Sequence, residues 1–576
     1  MATAVRPLTR AGGGLPIGRR LAALALWLFF AAPVAIGVLA TVLPAFGFLP
    51  ELGGTRLSLE PWRRLLEVPG LAPAAVLSLA TGLGTTALSF AIVTAFSAHW
   101  YGTGWFALMR RLLSPLLSVP HVAIAIGFAF LIAPSGWIYR LLAAAGLAGP
   151  LPPDIATVQD PLGLALTVGL VLKEVPFLLL MMLVALGQVR VRESLTVARA
   201  LGHARSAAWI AVVLPQLYPQ LRLPIYAVLA YSASVVDVAL ILGPTTPPTL
   251  AVLVWRGFQN PDLNQIFWAS AGACLQLLLA ALAILLWRAG EIVVASLGRR
   301  RIAAGWPGHP SPLAAGATFA GAAGVVAVAI AGLAATLLWS LTQRWSIAAA
   351  VPESLSLVSW LDQLAGATRA IGATALIGIA SAGAALALTI ALLEQEARQP
   401  ATVRRRHGWL LYAPLILPQI GFLFGIETML VLAGLDGSWA GLAWTHFLFV
   451  LPYVYLSLSE PWRALDPRYE RTALCLGRGP LAVLLTIKAP LLARPILVAL
   501  ALGFAVSVGQ YLPTLFAGGG RFQTLTTEAV ALAAGGDRRI VGVYATLQML
   551  LPAIGFATAL ALTRRSRSRP AAGGGA

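Results

Sequence analysis

A few polar and ionisable residues stand inside otherwise apolar stretches, and their side chains could act directly on a solute. Asp237 follows Tyr231, Ser232 and Ser234 in one such stretch, and Glu427 lies in another. A charge inside a bilayer is costly, so such residues mark solute pathways, proton relays or buried ion pairs. An acid at position 237 could attract a cationic solute or help to close a gate, or it could cap or pair near its helix end. Glu427 could face a cavity or pair with another helix.

The remaining ionisable residues do not indicate an enzyme. Lys173 and Glu174 are adjacent and do not face each other on a helix, so we expect ion pairs with other helices. The only other lysine is Lys488, and neither lysine follows a glycine, which excludes the Gly-Lys-Ser/Thr phosphate loop of an ATPase. The histidines lack metal-ligand spacing, and no nucleophile–base or paired-carboxylate pattern is present. We expect a transport subunit without its own ATPase site, cofactor or metal.

The elements that hold these residues are membrane helices. The chain is 59% hydrophobic and 11% charged, whereas globular domains carry about 25% charged residues. Apolar runs of roughly 20 residues recur throughout, which is the length of a membrane-spanning helix. The sequence predicts an all-α, polytopic transmembrane protein of about twelve helices. The predicted spans are 21–48, 71–97, 112–133, 161–187, 216–243, 265–288, 313–341, 367–393, 409–434, 437–459, 491–513 and 540–563.

The net charge of +19 is explained by arginines in the loops between spans. Loop arginines set membrane orientation, so a lipid bilayer is expected as the partner and nucleic acid is not. Arginines precede the first span and follow the last: Arg6, Arg10, Arg19, Arg20, Arg564, Arg565, Arg567 and Arg569. This pattern predicts a multi-pass protein of the bacterial inner membrane with both termini in the cytoplasm. Arg63, Arg64, Arg538 and Arg539 are exceptions, because they lie in loops predicted on the outer side.

The chain repeats itself. Ala-Arg-Ala-Leu-Gly ending at Gly202 matches Ala-Leu-Cys-Leu-Gly ending at Gly477, an offset of 477 − 202 = 275. The same offset relates Pro215 to Pro490, and further upstream Pro120-x6-Gly127 matches a copy at 418 − 120 = 298. The first half therefore carries about 298 − 275 = 23 extra residues, expected in 134–160. We predict two parallel six-helix halves, 1–305 and 306–576.

Each half has a long loop before its fifth span, 188–215 in the first half and 460–490 in the second. In both loops a proline follows the glycine by thirteen residues (215 − 202 and 490 − 477). Glycine permits a sharp reversal, and proline is tolerated where the next helix begins. The spacing predicts a compact helical elbow that could insert into a groove of a soluble partner. The plainer interpretation is an amphipathic linker.

These loops resemble the Glu-Ala-Ala-x3-Gly loop of the inner-membrane permeases of binding-protein-dependent ABC importers. The family's glutamate is Thr196 in the first copy and Arg471 in the second, where Glu470 lies one residue earlier. The resemblance implies a type I importer permease fold and a loop seated on an ATPase subunit. The implied coupling residues are Ala198, Arg199, Leu201, Gly202, Pro215, Glu470, Ala473, Leu476, Gly477 and Pro490.

The resemblance also implies that the fifth span of each half lines the translocation path. In the second half, Leu512 stands at the position of Asp237 (237 + 275 = 512). Candidate pathway residues are then Tyr231, Ser232, Ser234, Asp237, Ser507, Gln510 and Tyr511, with Glu427 added from the ninth span. The implied partners are a cytoplasmic ABC ATPase, expected in two copies, and a periplasmic solute-binding protein.

Within that family, the fused two-half form is most similar to thiamine and ferric-iron importer permeases. The second-half stretches 509–513, 518–521 and 524–529 resemble a thiamine-type relative. The sequence leaves open an ion-coupled secondary transporter with twelve helices, which would use Asp237, Glu427, Lys173 and Glu174 for coupling. That alternative does not explain the two motif loops.

Overall fold

The computed structural model describes residues 24–149, 151–305, 307–309, 311–397 and 410–567, and these residues are almost entirely helical. Within them, nine helices are long and apolar enough to cross a membrane, or eleven when each of two sharply bent helix pairs counts as one span. The prediction of an all-α polytopic membrane protein is confirmed. Arg6, Arg10, Arg19, Arg20 and Arg569, on which the orientation prediction partly depends, lie outside the described residues.

The helices of the first part of the chain are α1 (Leu24–Ala45), α2 (Glu60–Glu67), α3 (Leu71–Trp100), α4 (Gly104–Leu113), α5 (His121–Ile132), α6 (Trp137–Ala144), α7 (Leu164–Leu186), α8 (Val191–Ala200), α9 (Leu214–Ser234), α10 (Asp237–Leu242), α11 (Leu250–Phe258) and α12 (Gln265–Ala303). A short helix, Arg205–Ala208, and a π-helical turn, Trp209–Val213, lead directly into α9.

The second part of the chain contains α13 (Pro312–Leu341), α14 (Val358–Glu396), α15 (Ile420–Leu432), α16 (Trp439–Arg463), α17 (Pro467–Cys475), α18 (Ala493–Val508), α19 (Leu512–Gly518), α20 (Leu525–Ala533) and α21 (Arg538–Arg567). A helix over Pro480–Leu491, which contains a π-helical turn at Leu484–Lys488, precedes α18. Short antiparallel hairpins follow α1 and α13, pairing Phe48–Leu49 with Gly54–Thr55 and Thr342–Arg344 with Ser354–Leu355.

Prolines account for most of the differences between predicted and observed spans in the first part. The span predicted over 112–133 begins only at His121, because Pro115 and Pro120 interrupt the helix that precedes it. The span predicted over 216–243 ends at Ser234, and the separate helix α10 follows a break. Helix α9 is not among the nine to eleven apolar spans, because it carries Arg222 and has two prolines in its interior.

Two spans of the second part are bent rather than straight. A helix over Leu410–Ile416 meets α15 at 110°, with Pro418 in the break. The helix over Pro480–Leu491 meets α18 at 82°, and Pro495 lacks the N–H that would bond the carbonyl of Leu491. Residues 398–409, which precede the first of these bends, lie outside the described part of the chain.

The same elements recur at the offsets found in the sequence. The π-helical turn Trp209–Val213 recurs as Leu484–Lys488 (484 − 209 = 275), and α11 recurs as α20 (525 − 250 = 275). The first N–H of each of these two helices is held by a hydroxyl of an earlier span. Leu250 donates to Ser78 Oγ at 2.8 Å, and Leu525 donates to Thr374 Oγ1 at 3.0 Å. The hydroxyl positions are related by 374 − 78 = 296, within two residues of the upstream offset of 298.

Helices from the two parts of the chain pack closely against each other at glycines. Helix α1 packs on α15, and α13 packs on α5. A Cβ on Gly425 would collide with the carbonyl of Gly37, and one on Gly127 would lie 2.6 Å from the carbonyl oxygen of Gly332. Small residues let membrane helices approach closely, where dispersion contacts between backbones replace the hydrophobic effect. Four glycines thus set two close crossings between the parts.

We call the end of the bundle that carries residues 187–205 and 464–480 the motif end, and the other the opposite end. At the opposite end, the segment after α5 is fastened to the second part of the chain. Arg140 is 5% exposed, donates to the carbonyl of Trp345 at 2.8 Å and lies over the rings of Trp339 and Trp345. Arg538 donates to Ser135 O at 3.0 Å. Packing therefore explains this arginine, which was an exception to the predicted charge pattern.

Candidate functional site

The first motif loop reverses the chain at Gly202. The glycine has φ = +87°, its N–H donates to Arg199 O at 3.0 Å, and the N–H of His203 donates to Ala198 O at 3.2 Å. These two bonds satisfy the last carbonyls of α8 and form a Schellman motif. The left-handed conformation explains the choice of glycine, since a Cβ would strain the backbone there.

The second motif loop has the same geometry. Gly477 has φ = +81°, its N–H donates to Leu474 O at 3.0 Å, and Arg478 N–H donates to Ala473 O at 3.1 Å. Of the residues that make these bonds, only the alanine and the glycine are shared with the first loop, so a common backbone shape is preserved while the other side chains differ. The elbow predicted from the spacing is present in both copies.

The loops present apolar side chains to solvent in a repeated pattern. Ala198 and Ala473 are buried, at 4% and 3% exposure, whereas Leu201 and Leu476 are 75% and 77% exposed. Arg199, Pro215 and Pro490 are also exposed. Each loop thus holds a protruding leucine on a rigid turn, surrounded by arginines. Exposed apolar groups on a rigid polar frame are typical of a protein-binding surface.

The π-helical turns connect the loops to the spans that follow. Leu214 N–H donates to Trp209 O and Ala489 N–H donates to Leu484 O, five residues back in each case. Pro215 and Pro490 come one residue later and cannot donate to the helix. π-Turns of this kind occur often at functional sites, and here they lie at identical repeat positions.

The two loops are braced by different chemistry. In the second, Lys488 Nζ is 2.6 Å from Glu394 Oε1 and 2.8 Å from Glu470 Oε2, and Lys488 is 4% exposed. Glu470 therefore binds a buried lysine inside the fold. In the first loop, the positions of Lys488 and Glu470 are held by Val213 and Leu195 (488 − 275 and 470 − 275).

The first loop is also held by the segment between the two parts of the chain. Ala204 N–H donates to Pro307 O at 2.9 Å. A Cβ on Gly308 would collide with Ala207. Arg205 donates to the carbonyl of Tyr101. Backbone contacts and apolar packing thus hold the first loop in place, whereas Lys488 holds the second.

The candidate pathway residues belong in part to a polar group between the two parts of the chain, which we call the central cluster. Its members are His121, Glu174, Tyr231, Asp237, Tyr453 and Tyr511. The imidazole of His121 lies 3.5 Å from Glu174 Oε1, and its ring centroid lies 4.8 Å from that of Tyr231. Asp237 interacts electrostatically with His121 and with Tyr511, and Glu174 interacts with Tyr453. Gly509 lies against Pro120, so the backbone two residues before Tyr511 approaches the residue before His121.

The sequence singled out Tyr231, Asp237 and Tyr511, and Glu174 as an expected ion-pair member, but not His121 or Tyr453. His121 directly follows Pro120 of a repeated motif, which was the available signal, and nothing local marked Tyr453. The side chains of Lys173 and Glu174 contact different partners, as expected for adjacent residues on a helix. Lys173 Nζ donates to the carbonyls of Leu116, Leu117 and Val119 at 3.0, 2.9 and 2.6 Å, so its partners are backbone groups rather than a carboxylate of another helix.

The other candidate pathway residues lie elsewhere or are already engaged. Ser507 Oγ is 2.8 Å from His446 Nδ1 and is buried among second-part helices. Ser234 donates to a carbonyl of its own helix at 2.7 Å. Ser232 is buried, and Gln510 keeps partial exposure next to Tyr511. Glu427 lies in α15 and interacts electrostatically with Asp436, away from the cluster.

A polytopic helical bundle with a polar group between its two parts and two matched protruding loops defines a membrane permease. Its sequence is 33% identical to the inner membrane ABC transporter permease protein YnjC of Escherichia coli (strain K12) over 509 residues, covering 87% of this chain and 90% of that protein. The chain therefore belongs to the family of inner-membrane ABC transporter permeases. No family model matches it.

Proposed function

We propose that this chain forms the whole translocation pathway of an ATP-driven importer, with residues 1–305 and 306–576 as two parallel halves. The observation that carries the proposal is the pair of motif loops, which share one backbone geometry and both expose a leucine at the same repeat position. Two motif loops of the same shape on one chain could each bind one copy of the same ATPase subunit. A binding protein at the opposite end would deliver the solute, and both termini would lie in the cytoplasm.

The path from the loops to the central cluster supports a coupling role. Each loop joins two consecutive spans, and in the first half these are α7 and α9. Helix α7 carries Glu174, and α9 carries Tyr231 and leads into Asp237. When the ATPases close, they would move both elbows, and the attached spans would switch the central cluster between access from the two sides.

The proposed importer role leads to two candidate solutes. The resemblance of the fused two-half form to thiamine and ferric-iron importer permeases suggests a thiamine-like solute or ferric iron. The carboxylates of the central cluster also favour a second candidate function, an ion-coupled secondary transporter, because buried acids between helices serve as proton relays in such proteins. The two functions differ in whether a separate ATPase must bind.

The test is co-purification: the tagged chain is expressed together with its neighbouring genes, and the purified sample is examined for a bound ATPase subunit. The variant carries both Leu201→Asp and Leu476→Asp, and its control is Leu147→Asp, since Leu147 is 76% exposed and lies beyond α6 at the opposite end. Burial of a leucine side chain contributes about 1.5–3 kcal/mol. Each aspartate should therefore weaken binding at least about tenfold.

We expect the unchanged chain and the Leu147→Asp control to retain the ATPase and the double variant to lose it. Retention by the double variant would show that the loops are linkers. If the unchanged chain purifies alone and moves solute along an ion gradient in liposomes, it is a secondary transporter.

A further inference from the structure

The central cluster has an excess of negative groups. Glu174 is buried with a side-chain exposure of 5%, and His121 is its ion-pair partner among the described residues. Asp237 has that same imidazole as its cationic partner, accepts from two backbone N–H groups, and also interacts with Tyr231 and Tyr511. Lys173, the nearest lysine in sequence, is occupied by three backbone carbonyls. Two carboxylates thus share one imidazole.

The cluster borders a space instead of being closed by packing. The side chain of His121 is 33% exposed, and Tyr231, Asp237 and Tyr453 keep partial exposure. The residues before and after Asp237 in the sequence are buried. The partial exposure is therefore confined to the side of the helix on which Asp237 lies. Because the members come from both halves, their exposed atoms lie where the two halves meet.

The acids of the cluster come from the first half alone, whereas its rings come from both halves. In the second half, Leu512 replaces Asp237 (237 + 275) and Val450 replaces Glu174 (174 + 276, the register that aligns Pro176 with Pro452). The second half supplies the rings of Tyr453 and Tyr511 in exchange. The site therefore carries acids from one half only, with Tyr231 beside them and two further rings contributed by the other half.

A buried hydroxyl beside the cluster is unpaired. Ser232 follows Tyr231 on the last turns of α9, is 1% exposed, and its Oγ has no hydrogen-bond partner among the described residues. The equivalent Ser507 (232 + 275) is bonded to His446 and Ser381. Buried hydroxyls are normally bonded, so the first-half serine stands out from its own repeat.

We propose that the central cluster binds the ammonium group of a monovalent organic cation as it crosses the membrane, with Asp237 and Glu174 supplying charge and the tyrosines supplying ring faces. Aromatic rings beside a carboxylate are the common means of recognising quaternary ammonium groups. Within the described part of the chain, no group of three or more His, Cys, Asp or Glu residues is arranged to hold a metal ion. The cluster therefore suits an organic cation better than ferric iron. This inference rests on the proposed transport function and names its solute class.

The test measures binding to the full chain in lipid nanodiscs without ATPase, so that it does not depend on coupling. The probes are choline and its neutral isostere 3,3-dimethylbutan-1-ol, which differ only by the charged nitrogen, together with ferric citrate. We expect choline to bind at least about tenfold more tightly than the neutral probe, and Asp237→Asn to remove that preference. Asp362→Asn, an exposed acid in α14, is the matched control and should leave binding unchanged.

Tyr231→Leu and Tyr231→Phe provide a second pair of variants, which keeps the test independent of any folding defect in Asp237→Asn. The leucine should weaken choline binding and the phenylalanine should retain it. Equal binding of the two probes, an unaffected Asp237→Asn or Tyr231→Leu variant, or tighter binding of ferric citrate would overturn the proposal. Cation binding by a chain that captures no ATPase would refute the importer role and leave the site intact.

Discussion

Replacing Lys488 by methionine should destabilise the second motif loop far more than any comparable change in the first. Its Nζ lies between the carboxylates of Glu394 and Glu470, at 2.6 and 2.8 Å. The lysine is 4% exposed, and the two glutamate side chains are 22% and 21% exposed. The methionine fills a similar volume but removes the cation that lies between these two glutamates.

The magnitude follows from that burial. Removal of one partner from a buried ion pair costs about 3–5 kcal/mol, because the remaining charge stays desolvated. The two acids keep about a fifth of their exposure and can take up a proton, so we expect about 2–4 kcal/mol. This is large beside the 5–15 kcal/mol by which domains are typically stable.

The first half supplies the matched control. Its residues at the three positions are Val213, Leu195 and Ala98, the last from the offset 394 − 296 = 98. A triple variant, Lys488→Val with Glu470→Leu and Glu394→Ala, copies this apolar arrangement into the second half. Exchange of a buried ion pair for packed apolar residues is often neutral or stabilising, so the triple variant should recover most of the loss.

The assay is thermal unfolding of the purified chain in detergent, followed by capture of the ATPase. Lys488→Met should lower the unfolding temperature and weaken capture, and the triple variant should restore both. If Lys488→Met unfolds like the unchanged chain, or if the triple variant is less stable than the single one, the lysine does not brace the loop as the geometry indicates.

Two further changes test how the halves are joined. Gly127→Ala should destabilise the chain by about 1–3 kcal/mol, because its Cβ would meet the backbone of Gly332 at 2.6 Å; Gly324→Ala, which has open space, should have no such effect on the unfolding temperature. Arg140→Leu leaves the buried carbonyl of Trp345 without its donor, a cost of about 1–3 kcal/mol, and should speed protease cleavage within 342–355 while sparing the motif end.

The sequence predicts the helical class and the elbows because both depend on local patterns. Apolar runs of membrane length specify helices one at a time, and a Gly–Pro spacing repeated at one offset marks a turn that only glycine can make. The positions at which helices break or bend are harder to predict from the sequence. The 110° bend near Pro418 and the 82° bend near Pro495 lie inside continuous apolar runs, where neighbouring helices decide whether a proline is absorbed or bends the span.

The central cluster could be predicted only in part, because its members are distant in sequence. Asp237 is visible as a charge in an apolar run, but its proximity to His121 and Tyr511 depends on how the two halves pack. Arg538 shows the same limit at the opposite end. By charge alone it contradicts the expected orientation, and only its bond to Ser135 explains its position.

Fusion of the two halves into one chain explains why their chemistry has diverged in opposite directions. The first half holds its charges at the central cluster and braces its loop with Val213 and backbone contacts. The second half places Leu512 at the centre and braces its loop with Lys488. Two copies of one half would have to put either two Asp237 side chains or none at the centre. A single fused chain can place its acids on one side of the site and aromatic rings on both, and a cation with one charged end needs a single acidic side.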